Sequence, residues 1–269
     1  MGEAAAEAKK LFEAGNLSGA IAAATQEVKS KPTDAPRRAF LFELLCFAGE
    51  LERAGKQLDA IGQQDTLAEP AVQVYRNVLH AEQLRRRLYS DGLKPEFLLD
   101  PPDYIRLHIE AVNRLRENKP ADARALLEQS EEKRPALNGR LNDTPFEELR
   151  DCDDLLAPVL ELIMLRDYIW VPWEQIREFE MEAPERPRDL LWAPARISLT
   201  SGAQHRGYVP VLYSGSHQDA RDQIRLGRLT DWKIAEDGPT LGVGQRLFLA
   251  GEEGRPILEV RKIEFAGRN

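Results

Sequence analysis

Asp151, Asp153 and Asp154 stand at the front of a run, residues 155–165, in which Glu161 is the one charged residue. Carboxylates so close in sequence suit a hard cation such as Mg²⁺ or Ca²⁺, which takes oxygen ligands. A calcium loop needs more ligands and a glycine at its middle, and this stretch has neither. The expected role is therefore structural, one aspartate capping a turn and another pairing with an arginine of the C-terminal half such as Arg188. His80, His108, His205 and His217 show no HxxxH spacing and no cysteine beside them, so a zinc site would have to be assembled from distant parts. Ser214-Gly215-Ser216-His217 brings a hydroxyl and an imidazole together but lacks the G-x-S-x-G elbow of a nucleophile, and a polar loop after a strand is expected there. Gly242-Val243-Gly244 lacks the following glycine of a dinucleotide fingerprint and is expected to form a turn. In Arg188-Asp189-Leu190-Leu191-Trp192 and Thr230-Asp231-Trp232 a tryptophan lies close to an aspartate. That suggests a stacking surface, but core rings with satisfied indole N–H groups are the expected use. No catalytic, cofactor-binding or metal-binding residue is assigned.

The chain that must position these groups has 269 residues, 42% of them hydrophobic, enough for two domains or one elongated one. A net charge of −8 and a pI near 5.3 argue against a nucleic-acid-binding face. Cys46 and Cys152 form no CxxC pair, which fits a reducing cytosol. The start, MGEAAAEAKKLFEAG, has no apolar run of a signal peptide, and no stretch approaches the roughly 20 apolar residues that span a bilayer. A soluble cytoplasmic protein is expected.

Shifting the chain by 34 residues superposes Gly15, Leu17 and Ala20 on Gly49, Leu51 and Ala54. A small turn residue followed by a close-packing alanine is the tetratricopeptide pattern. Gly15 and Gly49 would end the first helix of each pair at positive φ. A further unit, residues 104–135, places Asn118 at the turn and Ala123 at the contact. Residues 70–90 read as one unbroken helix, and residues 91–102 as an irregular connector. Residues 1–137 are thus expected to form a short TPR-like solenoid. Its inner face, taken from repeat phase, would carry Lys9, Phe12, Glu13, Glu43, Cys46, Phe47, Asn77, His80, His108, Val112 and Arg116. With Phe12 and Phe47 as anchors, such a groove suits an amphipathic partner helix.

Residues 138–269 read as β-rich. A helix over 155–165 would contain Pro158, at a cost of about 3 kcal/mol. A hairpin pairing residues 159–165 with 168–171 is preferred, Pro172 ending its ladder. Strands are expected at 195–199, 208–213, 245–249 and 257–265, with a turn at 251–254. The fold class is α+β, the helical solenoid being followed by a small, mainly antiparallel twisted sheet or barrel-like domain.

Taken in order, DCDDLLAPVLE, YIWVPWEQI, RDLLW, PVLYSGS, LTDW and GVGQRLFL, following a helical-repeat half, resemble the ImpE/TagJ family of type VI secretion accessory proteins. The motif residues are Asp151, Asp153, Asp154, Trp170, Pro172, Arg188, Asp189, Trp192, Tyr213, Asp231, Trp232, Gln245 and Arg246. The resemblance implies a cytoplasmic accessory protein and not an enzyme. It implies association with the contractile sheath through the N-terminal helix of the small sheath subunit (TssB type). It also implies an influence on sheath handling or on recycling by the ClpV-type ATPase; no cofactor is expected, and charge and apolar patterning point to no nucleic-acid or membrane partner. Two other classes stay open from the residues alone. One is a scaffold using its β half for another secretion component or regulator. The other is a metal-dependent enzyme around the aspartates.

Overall fold

The computed structural model of the chain describes residues 3–266. Helices α1 (Glu3–Glu13) and α2 (Leu17–Ser30) form a hairpin, as do α3 (Ala35–Phe47) and α4 (Leu51–Gln64). After the long α5 (Glu69–Asp91), α6 (Ile105–Arg116) and α7 (Pro120–Glu131) make a third pair. The three turns share one geometry. Gly15, Gly49 and Asn118 have φ of 80°, 77° and 56°. The next residue's N–H then reaches back to close the helix, from Asn16 to the Leu11 carbonyl, Glu50 to Leu45 and Lys119 to Arg114. This is the Schellman closure, which needs a residue tolerant of left-handed backbone. Ala20, Ala54 and Ala123 are each fully buried where the paired helices meet. α5 does not break, and ends at Gly92 with φ of 75°.

The second half contains β1 (Gly139–Leu141), β2 (Thr144–Phe146), β3 (Leu149–Asp151), β4 (Val159–Met164), β5 (Asp167–Pro172), β6 (Ile176–Met181), β7 (Trp192–Leu199) and β8 (Gln204–Pro210). A one-turn helix α8 (Asp222–Arg225) precedes β9 (Thr230–Ile234), β10 (Thr240–Gly244), β11 (Leu247–Ala250), β12 (Glu253–Pro256) and β13 (Lys262–Phe265). Eight strands form one antiparallel sheet in the order β2-β1-β13-β6-β7-β8-β4-β5. The β9–β10 hairpin and the three-stranded β12-β11-β3 sheet lie beside it. The barrel-like alternative is not realised, because β2 and β5 remain separate edges. The β5 edge is capped by the connector, where Glu96 N–H donates to the Tyr168 carbonyl and Trp170 N–H to the Glu96 carbonyl, both at 3.0 Å.

The β4–β5 hairpin runs from Val159 opposite Pro172 to Met164 opposite Asp167, with Leu165 at φ 55° in the turn. Three expectations are corrected. Residues 257–265 are not one strand, because Pro256 ends β12 and a 3-10 turn (Ile257–Glu259) precedes β13. Ile257, Val260 and Ile263 are all fully buried at a spacing of three, which blurred the alternation. Residues 242–244 are strand and not turn. Gly242 is required because a Cβ there would enter the Tyr213 ring. Residues 208–213 leave the sheet at Pro210, and Leu212 bridges Gln245 instead.

Both apolar cores draw on helices and strands together. The larger runs from Leu17, Phe42 and Phe47 to Ile197, Val209 and Ile263, and the smaller joins Leu88, Ile105 and Val112 to Leu155, Val159 and Trp170.

Candidate functional site

The acidic edge is the end of β3 and the turn that follows it. Asp151 is fully buried, and its Oδ2 accepts from Arg246 Nη2 at 2.6 Å and Nε at 3.0 Å. Its Oδ1 accepts from the Tyr213 hydroxyl at 2.8 Å and the Asp153 N–H at 2.9 Å. Arg246, itself fully buried, reaches on through Nη1 to Glu161 at 3.1 Å. Arg85 of α5 meets Glu161 from the other side with a bidentate pair at 2.7 and 2.9 Å, and donates to the Leu212 carbonyl at 2.8 Å. The Tyr168 hydroxyl completes Glu161 at 2.5 Å while accepting the Trp170 indole N–H at 2.6 Å. Glu82, paired with both Arg85 and Arg86, extends the chain of charges, so three carboxylates face three guanidinium groups.

Isolated charges in such a place would be costly. Paired, and hydrogen-bonded at most polar atoms, they hold a defined arrangement. Burial pushes the Glu161 carboxyl upward, but Arg85 and Arg246 outweigh it and hold its pKa below the ordinary value. Burial raises that of Asp151 despite Arg246. Asp153 makes no ion pair among the described residues. Burial, then the Asp151 charge, pushes it up to about 8, while its oxygens accept from Leu155 N–H at 2.9 Å and Gly242 N–H at 2.7 Å. Asp154 pairs with Arg150 at 2.6 Å and accepts from Thr240 N–H at 2.7 Å. The aspartates therefore feed the β4–β5 hairpin and fasten β10. The proposed pairing with Arg188 is overturned: Arg188 lies 3.3 Å from Glu43 and stacks over the Tyr75 ring at 4.5 Å.

The histidines and the serine loop stay apart. His108, buried between α6 and the Asp153 turn, contacts the Leu155 carbonyl through Nδ1 at 2.9 Å and Ser130 Oγ through Nε2 at 2.8 Å. Burial lowers its pKa to about 4, so the neutral ring donates from Nδ1 and accepts the Ser130 proton. Ser216 Oγ donates to the Tyr213 carbonyl at 2.6 Å and accepts from Gly244 N–H at 2.8 Å, tying down a loop. His217 packs on the Gly49 turn, and burial lowers its pKa to about 4. His80 accepts from Arg166 at 3.2 Å, and His205 lies on β8. Among the described residues no group of three or more His, Cys, Asp or Glu is placed to hold a metal ion, and no helix is long and apolar enough to cross a membrane.

Residues 143–264 match the family model described as ImpE protein. The chain is 36% identical over 264 residues to the type VI secretion system accessory component TagJ of Pseudomonas aeruginosa, covering 98% of this chain and 92% of that protein. The chain belongs to the ImpE/TagJ family. Its fold is also that of a crystal structure of a Vibrio parahaemolyticus protein, at TM-score 0.90 and 26% identity over 97% of this chain and 98% of that one.

The strings that carry the ImpE/TagJ resemblance are those that build and frame the network. Asp151, Asp153, Trp170, Tyr213 and Arg246 belong to it directly. Asp189 caps its own 3-10 turn through the N–H groups of Arg186 and Glu185 at 2.9 and 3.0 Å. Trp192 is core, its indole N–H 3.4 Å from Glu82. Asp231 pairs with Arg221 at 2.6 Å, and half-buried Trp232 lies 6.0 Å from the Tyr213 ring. Gln245 donates to the Gly227 carbonyl at 2.7 Å, and Pro172 closes β5. Arg85, Glu82 and Tyr168 were missed. The available signal was Glu161: a lone carboxylate in an apolar run demands a buried cation.

The inner-face residues do not line one open groove. Phe47 (1% exposed), Glu43 and His108 are inside the molecule, where the chain's own C-terminal half covers them. Phe12 lies 5.9 Å from Phe40 and 5.8 Å from Phe47. Arg228 lies over its ring, donating to the carbonyls of Phe12 and Glu13 at 2.6 and 2.8 Å. Lys9 and Glu13 form an exposed pair at 3.7 Å. Asn77 accepts from Gln73 at 3.0 Å, and Arg116 donates to the Ser90 carbonyl at 3.0 Å.

Proposed function

We propose that this ImpE/TagJ protein is a non-enzymatic, cytoplasmic adaptor of type VI secretion that binds the N-terminal helix of the small contractile-sheath subunit (TssB type). In this reading it modulates sheath assembly or recycling by the ClpV-type ATPase, and residues 1–137 act as a TPR-like unit against residues 138–269. The carrying observation is the near full-length likeness to the Pseudomonas aeruginosa accessory component. The site geometry adds support, since buried Asp151 is engaged by Arg246, buried Asp153 by backbone N–H groups, and Asp154 by Arg150 and the Thr240 N–H. Fluorescence anisotropy of a labelled N-terminal segment of the small sheath subunit, titrated with the full chain, tests it. Saturable binding absent with a scrambled segment is expected, and no binding of the native segment refutes the reading.

A further inference from the structure

Where α5 and α6 meet the β9–β10 hairpin, a cleft of about 450 Å³ opens to solvent. Tyr89 of α5, Leu115 of α6 and Leu241 of β10 give it apolar walls, all three partly exposed. Arg86, Arg116 and Lys233 stand around them, and no carboxylate lines the cleft among the described residues. Arg86 is neutralised by Glu82 at 3.3 Å. Arg116 donates to neutral oxygens, the Ser90 carbonyl and Asn113 Oδ1, and Lys233 makes no ion pair within 4 Å among the described residues. His217, also on the wall, is neutral near pH 7, since burial lowers its pKa to about 4. Lys233 acts electrostatically on Asp219, which Arg221 engages, and Arg116 on Asp91, which Arg87 engages. Two cations that make no ion pair within 4 Å among the described residues thus stand at the mouth of a largely apolar cleft, in a chain of net charge −8.

We infer that this cleft is the docking site for a protein segment that inserts apolar side chains between Tyr89, Leu115 and Leu241 and presents acidic residues to Arg116 and Lys233. A cleft of this size admits a few anchoring side chains while the rest of the segment lies across its mouth. The inference rests on the adaptor reading, and gives its partner segment a place and a charge.

The test uses the full chain and the labelled sheath-subunit segment in the anisotropy assay. Arg116→Glu/Lys233→Glu, both side chains exposed, is expected to weaken binding at least about tenfold, and Lys233→Glu alone by less. Wild-type binding is expected to weaken with added salt. Thermal midpoints within about 2 °C of wild type show that the fold is kept. An inner-face control, Lys9→Glu/Glu13→Lys, is expected to bind normally. Unchanged affinity in both cleft variants, with wild type binding, overturns the cleft and leaves the adaptor reading standing. Failure of wild type to bind overturns the adaptor reading, and the cleft assignment with it.

Discussion

Replacing Arg246 with methionine removes the cation shared by Asp151 and Glu161 while keeping a long apolar stem. Arg246 is fully buried, so nothing from solvent is placed to substitute for its guanidinium. Glu161 keeps the bidentate Arg85 and the Tyr168 hydroxyl, whereas Asp151 Oδ2 loses both of its charged donors. Breaking a buried pair in this way costs about 3–5 kcal/mol, because a charge is left uncompensated. At about 2–4 °C per kcal/mol for a protein of this size, the thermal midpoint should fall by about 6–20 °C.

The loss should also depend on pH with a definite sign. Without Arg246, the Asp151 carboxyl has a folded-state pKa further above its unfolded value near 3.9. The folded variant then binds a proton that the unfolded chain does not. Its deficit is smallest near pH 4 and grows as pH rises. Circular-dichroism melts of wild type, Arg246→Met and Arg246→Met/Asp151→Asn between pH 4 and 8 read this directly. The double variant should recover part of the loss, since the orphaned charge is gone. A fall of less than about 3 °C at pH 7, or a deficit that shrinks as pH rises, would refute the account of the network as a compensated buried charge cluster.

Two further outcomes follow from the same geometry. Burial pushes the Glu43 carboxyl up to about 7 against the opposing Arg188, so its favourable contribution is complete below its unfolded pKa near 4.3 and is lost as pH rises towards 7. Glu43→Gln should flatten that decline in urea midpoints taken between pH 4 and 7, and parallel profiles would count against the shift. Gly49→Ala should cost at least about 1–2 kcal/mol for left-handed backbone alone, plus displacement of His217, which a Cβ would strike. Gly251→Ala, at φ 62° with open space around it, should cost only the backbone share in a matched denaturant titration.

What was legible in the sequence was what a local rule demands. The turns at Gly15, Gly49 and Asn118 need left-handed backbone, and Gly and Asn supply it at a fixed phase from Ala20, Ala54 and Ala123. The β4–β5 hairpin was readable because Tyr168-Ile169-Trp170-Val171 can serve few other purposes and Pro158 spoils a helix. Partners were not readable. Arg246 meets Asp151 across 95 positions and Arg85 meets Glu161 across 76, and no periodicity encodes such a choice. Three-residue strands such as β1, β2 and β3 carry too little pattern to register. Repeat phase places Phe47 on the inner face of the helices but takes no account of a second half of the chain packing on it.

An apolar joint between α5 and the sheet would have been no less stable in principle, since buried ion pairs seldom outperform well-packed hydrocarbon. What the ionic joint adds is orientation. The Arg85 fork engages both oxygens of Glu161 in one arrangement, so α5 cannot slide or rotate on β4 without leaving a charge stranded. Tyr89 stands one helical turn beyond Arg85, and Arg86 is its neighbour, so fixing Arg85 fixes one wall of the cleft. The opposite wall is set by the aspartates. Asp153 holds Gly242 at 2.7 Å and Asp154 holds Thr240 at 2.7 Å, which seats Leu241 between two anchored residues. The aspartates that first suggested catalysis thus hold one wall of the proposed docking surface, and the Arg85–Glu161 pair holds the other.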